Sequence, residues 1–293
     1  MFPTSPKKLE KYLTYLGAAP QKKWGQNFLL DTSYHVAIKS AAELSENDVV
    51  LEIGAGLGHL TQFLQPFVHK LYIVEIDPLM VKALQSSFVA AENLEIISED
   101  ILQKKRKLNP LVLQKIKDSI DGFDFKIIAN LPYNISAPII VNFLSTSLPI
   151  SKMIFMVQKE IAERIIAEPK TEFYGPLTVQ TQIYASVKIL KYVPAEAFFP
   201  APKVTSAIIE IVPHNKLLHT INNIELFKRL VQSTFCLRRK KIANSLKKGA
   251  NLPEISKDNL DKIEEHFDLS RRPETFSVEE FIHMANIIDS LDK

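Results

Sequence analysis

Apolar residues in this chain gather into six short runs of strand length, separated by stretches with helical spacing. Val49, Val50, Leu51 and Ile53 form the first, a run apolar on both sides that predicts a strand buried on both faces. Further runs lie at 70–78 (KLYIVEIDP), 94–100 (LEIISED), 123–130 (FDFKIIAN), 152–160 (KMIFMVQKE) and 205–213 (TSAIIEIVP). A helix is expected from His59 to about Phe67, another opens at Pro78, and a third continues from the fifth run through Arg164. Strands alternating with helices predict a parallel α/β sheet with right-handed crossovers, the Rossmann-like arrangement. After Pro213 the pattern changes. Residues 214–223 read as a linker, and Leu226, Phe227, Leu230, Phe235, Ile242 and Leu246 then recur at helical spacing. The expected organisation is an α/β domain over 1–214 and a small helical domain over 215–293.

In such sheets ligands sit beyond the carboxyl ends of the strands. Gly54, Glu75, Asp100 and Asn130 all fall there. Gly54, Gly56 and Gly58 form a turn that brings backbone N–H groups up to a ligand. The dinucleotide fingerprint G-x-G-x-x-G needs glycine where His59 stands, whereas E-x-G-x-G-x-G is the pattern of methyltransferases that use S-adenosylmethionine. Glu75 can accept both hydroxyls of a ribose. Asp100 either accepts from an adenine amine, with Ile76 and Ile101 flanking the ring, or caps a helix.

Asn130-Leu131-Pro132-Tyr133 reads as an ordinary strand-to-helix turn or as a site for a flat, nitrogen-bearing ring. In the second reading the Asn130 side-chain oxygen and the Leu131 carbonyl accept the hydrogens of an exocyclic amine. Pro132 fixes the turn and Tyr133 supplies a stacking face. Phe198, on the proline-stiffened loop with Phe199, is either the opposite aromatic wall or apolar core. A base must be extruded or unpaired to enter such a pocket. No Ser-His-Asp or Cys-His arrangement suggests a covalent route, and the seven histidines show no metal-ligand spacing.

Composition and charge sharpen this picture. The chain has 293 residues, 46% hydrophobic and 24% charged, with one cysteine, Cys236, so no intrachain disulfide can form. No apolar run approaches the roughly 18 to 20 residues of a membrane span, and residues 1–8 lack a signal-peptide core. A cytoplasmic, metal-free monomer with no membrane partner is expected. The net charge is only +3, yet basic residues cluster at 7–23, at Lys104, Lys105, Arg106 and Lys107, and at Arg238, Arg239, Lys240 and Lys241. Each run alone fits a solvated helix face; three together favour a polyanion such as nucleic acid.

Six segments, KKWGQNFLLD (22–31), EIGAGLGHLT (52–61), NLPYNIS (130–136), VQKEIAERI (157–165), YGPLTV (174–179) and FFPAPKVTSA (198–207), occur in this order. Together they resemble the small-subunit ribosomal RNA adenine N6,N6-dimethyltransferases. FCLRRKKIANSL (235–246) and RRPETFSVEEF (271–281) resemble the C-terminal domain of that family, so the resemblance spans nearly the whole chain. It implies dimethylation of two adjacent adenines near the 3′ end of small-subunit RNA, late in subunit assembly. It implies that Asn27 and Leu29 line the cofactor pocket with Gly54, Gly56, Glu75, Asp100 and Asn130. Lys22, Lys23 and Arg238 to Lys241 become candidate RNA contacts. Thr205 stands where the family often has Asp, which puts the hydrogen bonding of that loop in question. Two competing readings are a macrolide-resistance methyltransferase of the large subunit, which typically carries N-I-P-Y where this chain has Leu131, and a non-catalytic assembly factor of the small subunit.

Overall fold

The computed structural model describes every residue except 1, 104–106, 238–239, 249–251, 253–254 and 292–293, and the side chains of Lys22 and Lys248. The chain forms two compact units, one of Met1–Ala162 with Val187–Pro213, the other of Glu163–Ser186 with His214–Lys293.

The first unit is built on a seven-stranded sheet. Its strands are β1 (Asp48–Ile53), β2 (Lys70–Val74), β3 (Leu94–Ile97), β4 (Asp124–Asn130), β5 (Ile150–Gln158), β6 (Ala185–Val193) and β7 (Ser206–Pro213), in the spatial order β3-β2-β1-β4-β5-β7-β6. The central pairs β1–β2, β1–β4, β2–β3 and β4–β5 are parallel. Every residue of β1 is buried, as is Phe125–Ala129 of β4, which is why these segments are mainly apolar, interrupted only by Asp48, Glu52 and Lys126. The strand order reverses between β1 and β4, whose ends carry Gly54 and Asn130. A crevice opens at such a switch point.

The structure corrects three expectations. The sheet is not wholly parallel, because β7 runs antiparallel to β5, with Ser206 opposite Gln158 and Ile208 opposite Met156. An apolar run fixes burial but not direction. The helix expected over 59–67 shrinks to one turn at Thr61–Leu64 and a 3-10 turn at Gln65–Phe67. Pro66 supplies no N–H to extend it. Strand β6 was not expected at all. It lies at the sheet edge, with Ser186, Lys188, Leu190 and Lys191 exposed, so its apolar residues are interrupted by Ser186, Lys188 and Lys191 rather than forming one run.

Helices α1 (Pro6–Tyr15) and α2 (Thr32–Ala42) precede β1, and α3 (Pro78–Ser87), α4 (Pro110–Lys117), α5 (Ser136–Leu144) and α6 (Lys159–Ile165) lie between successive strands. Helix α3 opens at Pro78 with Asp77 as N-cap, its carboxylate accepting the Leu79 N–H at 2.9 Å. The second unit contains α7 (Pro176–Gln182), α8 (Ile224–Cys236), α9 (Ile242–Lys248), α10 (Lys257–Glu264) and α11 (Val278–Leu291). Leu226, Phe227, Leu230, Val231, Phe276 and Phe281 are buried in it. This unit is larger than the single segment 215–293 expected from sequence, because 163–186 belongs with it. That segment carries α7, which packs on α8, and Tyr174, whose ring lies 6.2 Å from that of Phe235. Among the described residues no helix is long and apolar enough to cross a membrane.

Candidate active site

Two clefts open at the carboxyl ends of β1, β2 and β4. The first is bordered by Asn27, Leu29, Gly54, Gly56, Glu75 and Asn130 through Tyr133. The second is bordered by Ile76, Asp100 and Ile101. Every candidate cofactor residue thus reaches one cleft or the other, although these residues are scattered from position 27 to position 130.

The glycine turn follows from its backbone. Gly54, Gly56 and Gly58 all have positive φ, which disfavours residues with a side chain. At Gly56 a Cβ would also come within 3.1 Å of the Phe28 ring, so glycine is what lets the 26–30 segment close over the turn. Glu75 is locked beneath it. Its Oε2 accepts the Gly56 N–H at 2.8 Å and its Oε1 accepts the Asp77 N–H at 2.9 Å. Each carboxylate oxygen can accept again, so the group remains able to receive two ribose hydroxyls. Burial pushes the Glu75 carboxyl above its ordinary pKa, while the backbone N–H donors pull the other way.

Asp100 caps no helix. Its Oδ1 accepts the Leu102 N–H at 2.8 Å, holding a turn into the two-residue ladder of 102–103 and 107–108. Its backbone carbonyl accepts from Asn109 Nδ2 at 3.0 Å. The other oxygen, Oδ2, takes none of the hydrogen bonds among the described residues, and Ile76 and Ile101 border the same cleft.

Asn130 ends β4. Its Nδ2 donates to the Asn27 carbonyl at 3.2 Å, which leaves Oδ1 as the acceptor available to a ligand. The Leu131 N–H donates to Met156 O at 3.1 Å and so extends the sheet pairing by one residue. No N–H of the described residues takes the Leu131 carbonyl. Pro132 packs against Gly25, where a Cβ would meet Pro132 Cβ at 3.3 Å; that close approach brings the 25–29 segment onto the turn. Tyr133 shares a 2.6 Å hydrogen bond with Ser206 at the start of β7, and burial raises the pKa of its phenol.

Phe198 takes the core alternative. It pairs with Leu29 in a short antiparallel bridge, is 3% exposed, and packs with Leu29, Ile38, Met156 and Ile208. It borders neither cleft, so the Tyr133–Phe198 sandwich is not formed in this structure. The substitution at Thr205 leaves one loop contact in place, because the Thr205 carbonyl accepts the Lys159 N–H at 2.9 Å whatever side chain it carries.

Of the basic candidates, Lys23 is exposed with its Nζ 4.7 Å from the centre of the Trp24 ring. Lys240 and Lys241 are exposed beyond α8. Arg238, Arg239 and the 104–106 cluster lie outside the described residues, as does the Lys22 side chain. Among the described residues no group of three or more His, Cys, Asp or Glu side chains assembles as a metal site. Glu52 was missed. It is 1% exposed at the back of the first cleft, where its Oε2 accepts from Thr61 Oγ1 at 2.8 Å and burial pushes its pKa up to about 8. The sequence signal was the acid that opens E-x-G-x-G-x-G, which burial in β1 makes unusual.

The sheet order, the glycine turn over a buried carboxylate and the asparagine at the switch point define an S-adenosylmethionine-dependent methyltransferase. The glycine turn and the buried carboxylate that accepts its Gly56 N–H fit that cofactor. The model of the family described as ribosomal RNA adenine dimethylase matches residues 18–290, and the chain belongs to that family. Proteins named ribosomal RNA small subunit methyltransferase A are similar to it. The one from Clostridioides difficile is 34% identical, covering 92% of this chain and 91% of its own. The one from Lachnoclostridium phytofermentans is 38% identical, covering 92% and 91%. Among solved structures, a dimethyladenosine transferase from Plasmodium falciparum is similar with a TM-score of 0.73 at 25% identity, covering 88% of this chain and 95% of that one. The 23S rRNA methyltransferase ErmE, with a TM-score of 0.61 at 24% identity over 89% of this chain and 99% of its own, shares the fold.

Proposed function

We propose that this enzyme converts two adjacent adenines near the 3′ end of small-subunit ribosomal RNA to N6,N6-dimethyladenine, late in subunit assembly. The observation that carries the proposal is the pair of free acceptors at the Asn130–Leu131 turn, the Asn130 Oδ1 and the Leu131 carbonyl, beside the glycine cradle. When bound, S-adenosylmethionine supplies an electrophilic methyl group on sulfonium sulfur. The target nitrogen is a poor nucleophile because its lone pair is delocalised into the purine ring. Acceptors for its two hydrogens favour the tetrahedral nitrogen that attack requires. The lone pair then forms the nitrogen–carbon bond as the carbon–sulfur bond breaks, and the surplus proton leaves to water. A second cycle on the same nitrogen gives the dimethylated base. Fixed alignment carries much of the rate in such a transfer, which is the task of Pro132 and of the hydrogen bond that holds Tyr133. Tyr133 is the aromatic face presented to the base, and Leu131 rather than Ile keeps the small-subunit form of the motif. The names of the relatives support the small-subunit substrate. Lys22, Lys23 and Arg238 to Lys241 serve in this proposal as phosphate contacts, with the second unit holding the subunit.

The test is transfer of labelled methyl groups to undermodified small subunits, with large subunits as control, followed by nucleoside digestion. Dimethyladenosine from small subunits alone is expected. Label on large subunits would move the substrate, and binding without transfer would leave only an assembly role. Asn130→Ala should keep cofactor affinity and lose about 10²- to 10³-fold in turnover, the usual cost of a transition-state hydrogen-bond partner. Unchanged turnover would remove the acceptor role.

A further inference from the structure

Trp24 has no part in the chemistry above, yet among the described residues only it, Gly54, Ile76 and Pro132 border both clefts. It is the single tryptophan of the chain. It ends a one-turn 3-10 helix, Lys22–Trp24, and its N–H donates to Gln21 O at 3.0 Å. The next residue, Gly25, has a φ of +63° and lies against Pro132. Beyond that bend the chain is pinned twice, by Gln26 Nε2 donating to Asp77 Oδ2 at 2.8 Å and by Asn130 donating to Asn27 O. The indole is half-buried, and Lys23 Nζ lies over its ring. Among the described residues no other aromatic ring stacks on it.

On the S-adenosylmethionine reading of the site, the cofactor spans both clefts. Glu75, the ribose acceptor, borders the first; Asp100 and Ile101, the adenine end, border the second. A nucleoside that reaches both must pass the junction where Trp24 stands. A flat aromatic ring at that junction matches a purine nucleoside, which stacks on such faces whatever its substituents. We infer that Trp24 is a positioning wall for the nucleoside of the cofactor, closing over it between Glu75 and Asp100, with Lys23 holding the indole from its other contact. This rests on the S-adenosylmethionine reading of the site. Donor and spent product share the nucleoside, so Trp24 must stabilise both alike. Uniform binding of that kind lowers KM without raising kcat.

Because the chain has one tryptophan, its emission reports this residue alone. Wild-type protein would be titrated with S-adenosylmethionine, S-adenosylhomocysteine and free methionine, with calorimetry in parallel. Both nucleosides should quench or shift the emission and methionine should not. Trp24→Ala should weaken both nucleosides about tenfold, Trp24→Phe should retain most of the affinity, and kcat at saturation should stay near wild type in both. Heat of binding with unchanged emission would overturn the inference, as would full affinity in Trp24→Ala. Should the alanine variant fail to fold, the wild-type emission decides. Absence of any heat with wild type would remove the cofactor reading itself and the inference with it.

Discussion

At the residue scale, the site sets side chains that share a formal charge into different states. Glu75 and Glu52 both border the first cleft, and burial raises the pKa of each. Glu75 is compensated by two backbone donors, whereas Glu52 has only the Thr61 hydroxyl and is pushed up to about 8. In the folded protein Glu52 therefore keeps a proton that the unfolded chain, near the ordinary 4.5, gives up. This contribution to stability is full below pH about 4.5 and is lost as pH rises towards 8. Glu52→Gln, neutral at every pH, should flatten that fall. Urea unfolding at pH 5.5 and pH 8 reads it, and an equal decline in the variant would place the titration elsewhere. Gly54, Glu75, Asp100 and Asn130 were legible as candidates because each follows an apolar strand. Trp24 was not, because what singles it out is the company it keeps across the fold; Glu52 opens the glycine motif, but only the fold shows it buried at the cleft.

At the element scale, the Asn130–Tyr133 turn is held from both sides of the switch point. The 25–29 segment grips Asn130 and Pro132, and β7 grips Tyr133 through Ser206. Antiparallel β7 delivers Ser206 because its first residue faces Gln158 at the carboxyl end of β5. Ser206→Ala and Tyr133→Phe should each cost about 0.5–1.5 kcal/mol of transition-state stabilisation, with cofactor affinity unchanged. The double variant should cost little more than either, since both remove one bond. Additive losses in kcat/KM would show that the two side chains act independently. The strands up to β5 were readable from their apolar runs. Strand β6 and the direction of β7 were not, because edge exposure and pairing partner leave no mark on local periodicity.

At the scale of the whole molecule, basic residues are spread over the N-terminal segment and the region beyond α8. Each phosphate neutralised contributes to the salt dependence of binding. Replacing Arg238 and Arg239 by Gln should weaken binding to small subunits and make the slope of log K against log salt shallower by about 1.4 to 1.8, the release expected for two phosphate contacts. Binding measured across a salt series checks this; a slope equal to wild type would place the contacts elsewhere.

The sequence by itself determined the strand ends, and with them the glycine turn, Glu75, Asp100 and the Asn130–Tyr133 turn. Burial on both faces and the backbone freedom of glycine are local properties that a linear pattern records. It also marked the change to a helical region near residue 214. Only the tertiary structure decided that 163–186 belongs with that region, that Phe198 lies in the core rather than across from Tyr133, and that Trp24 stands where the two clefts meet. Each of these depends on contacts between residues far apart in the chain. Such contacts are chosen by packing and pairing over the whole fold, so residue type and local spacing cannot encode them alone.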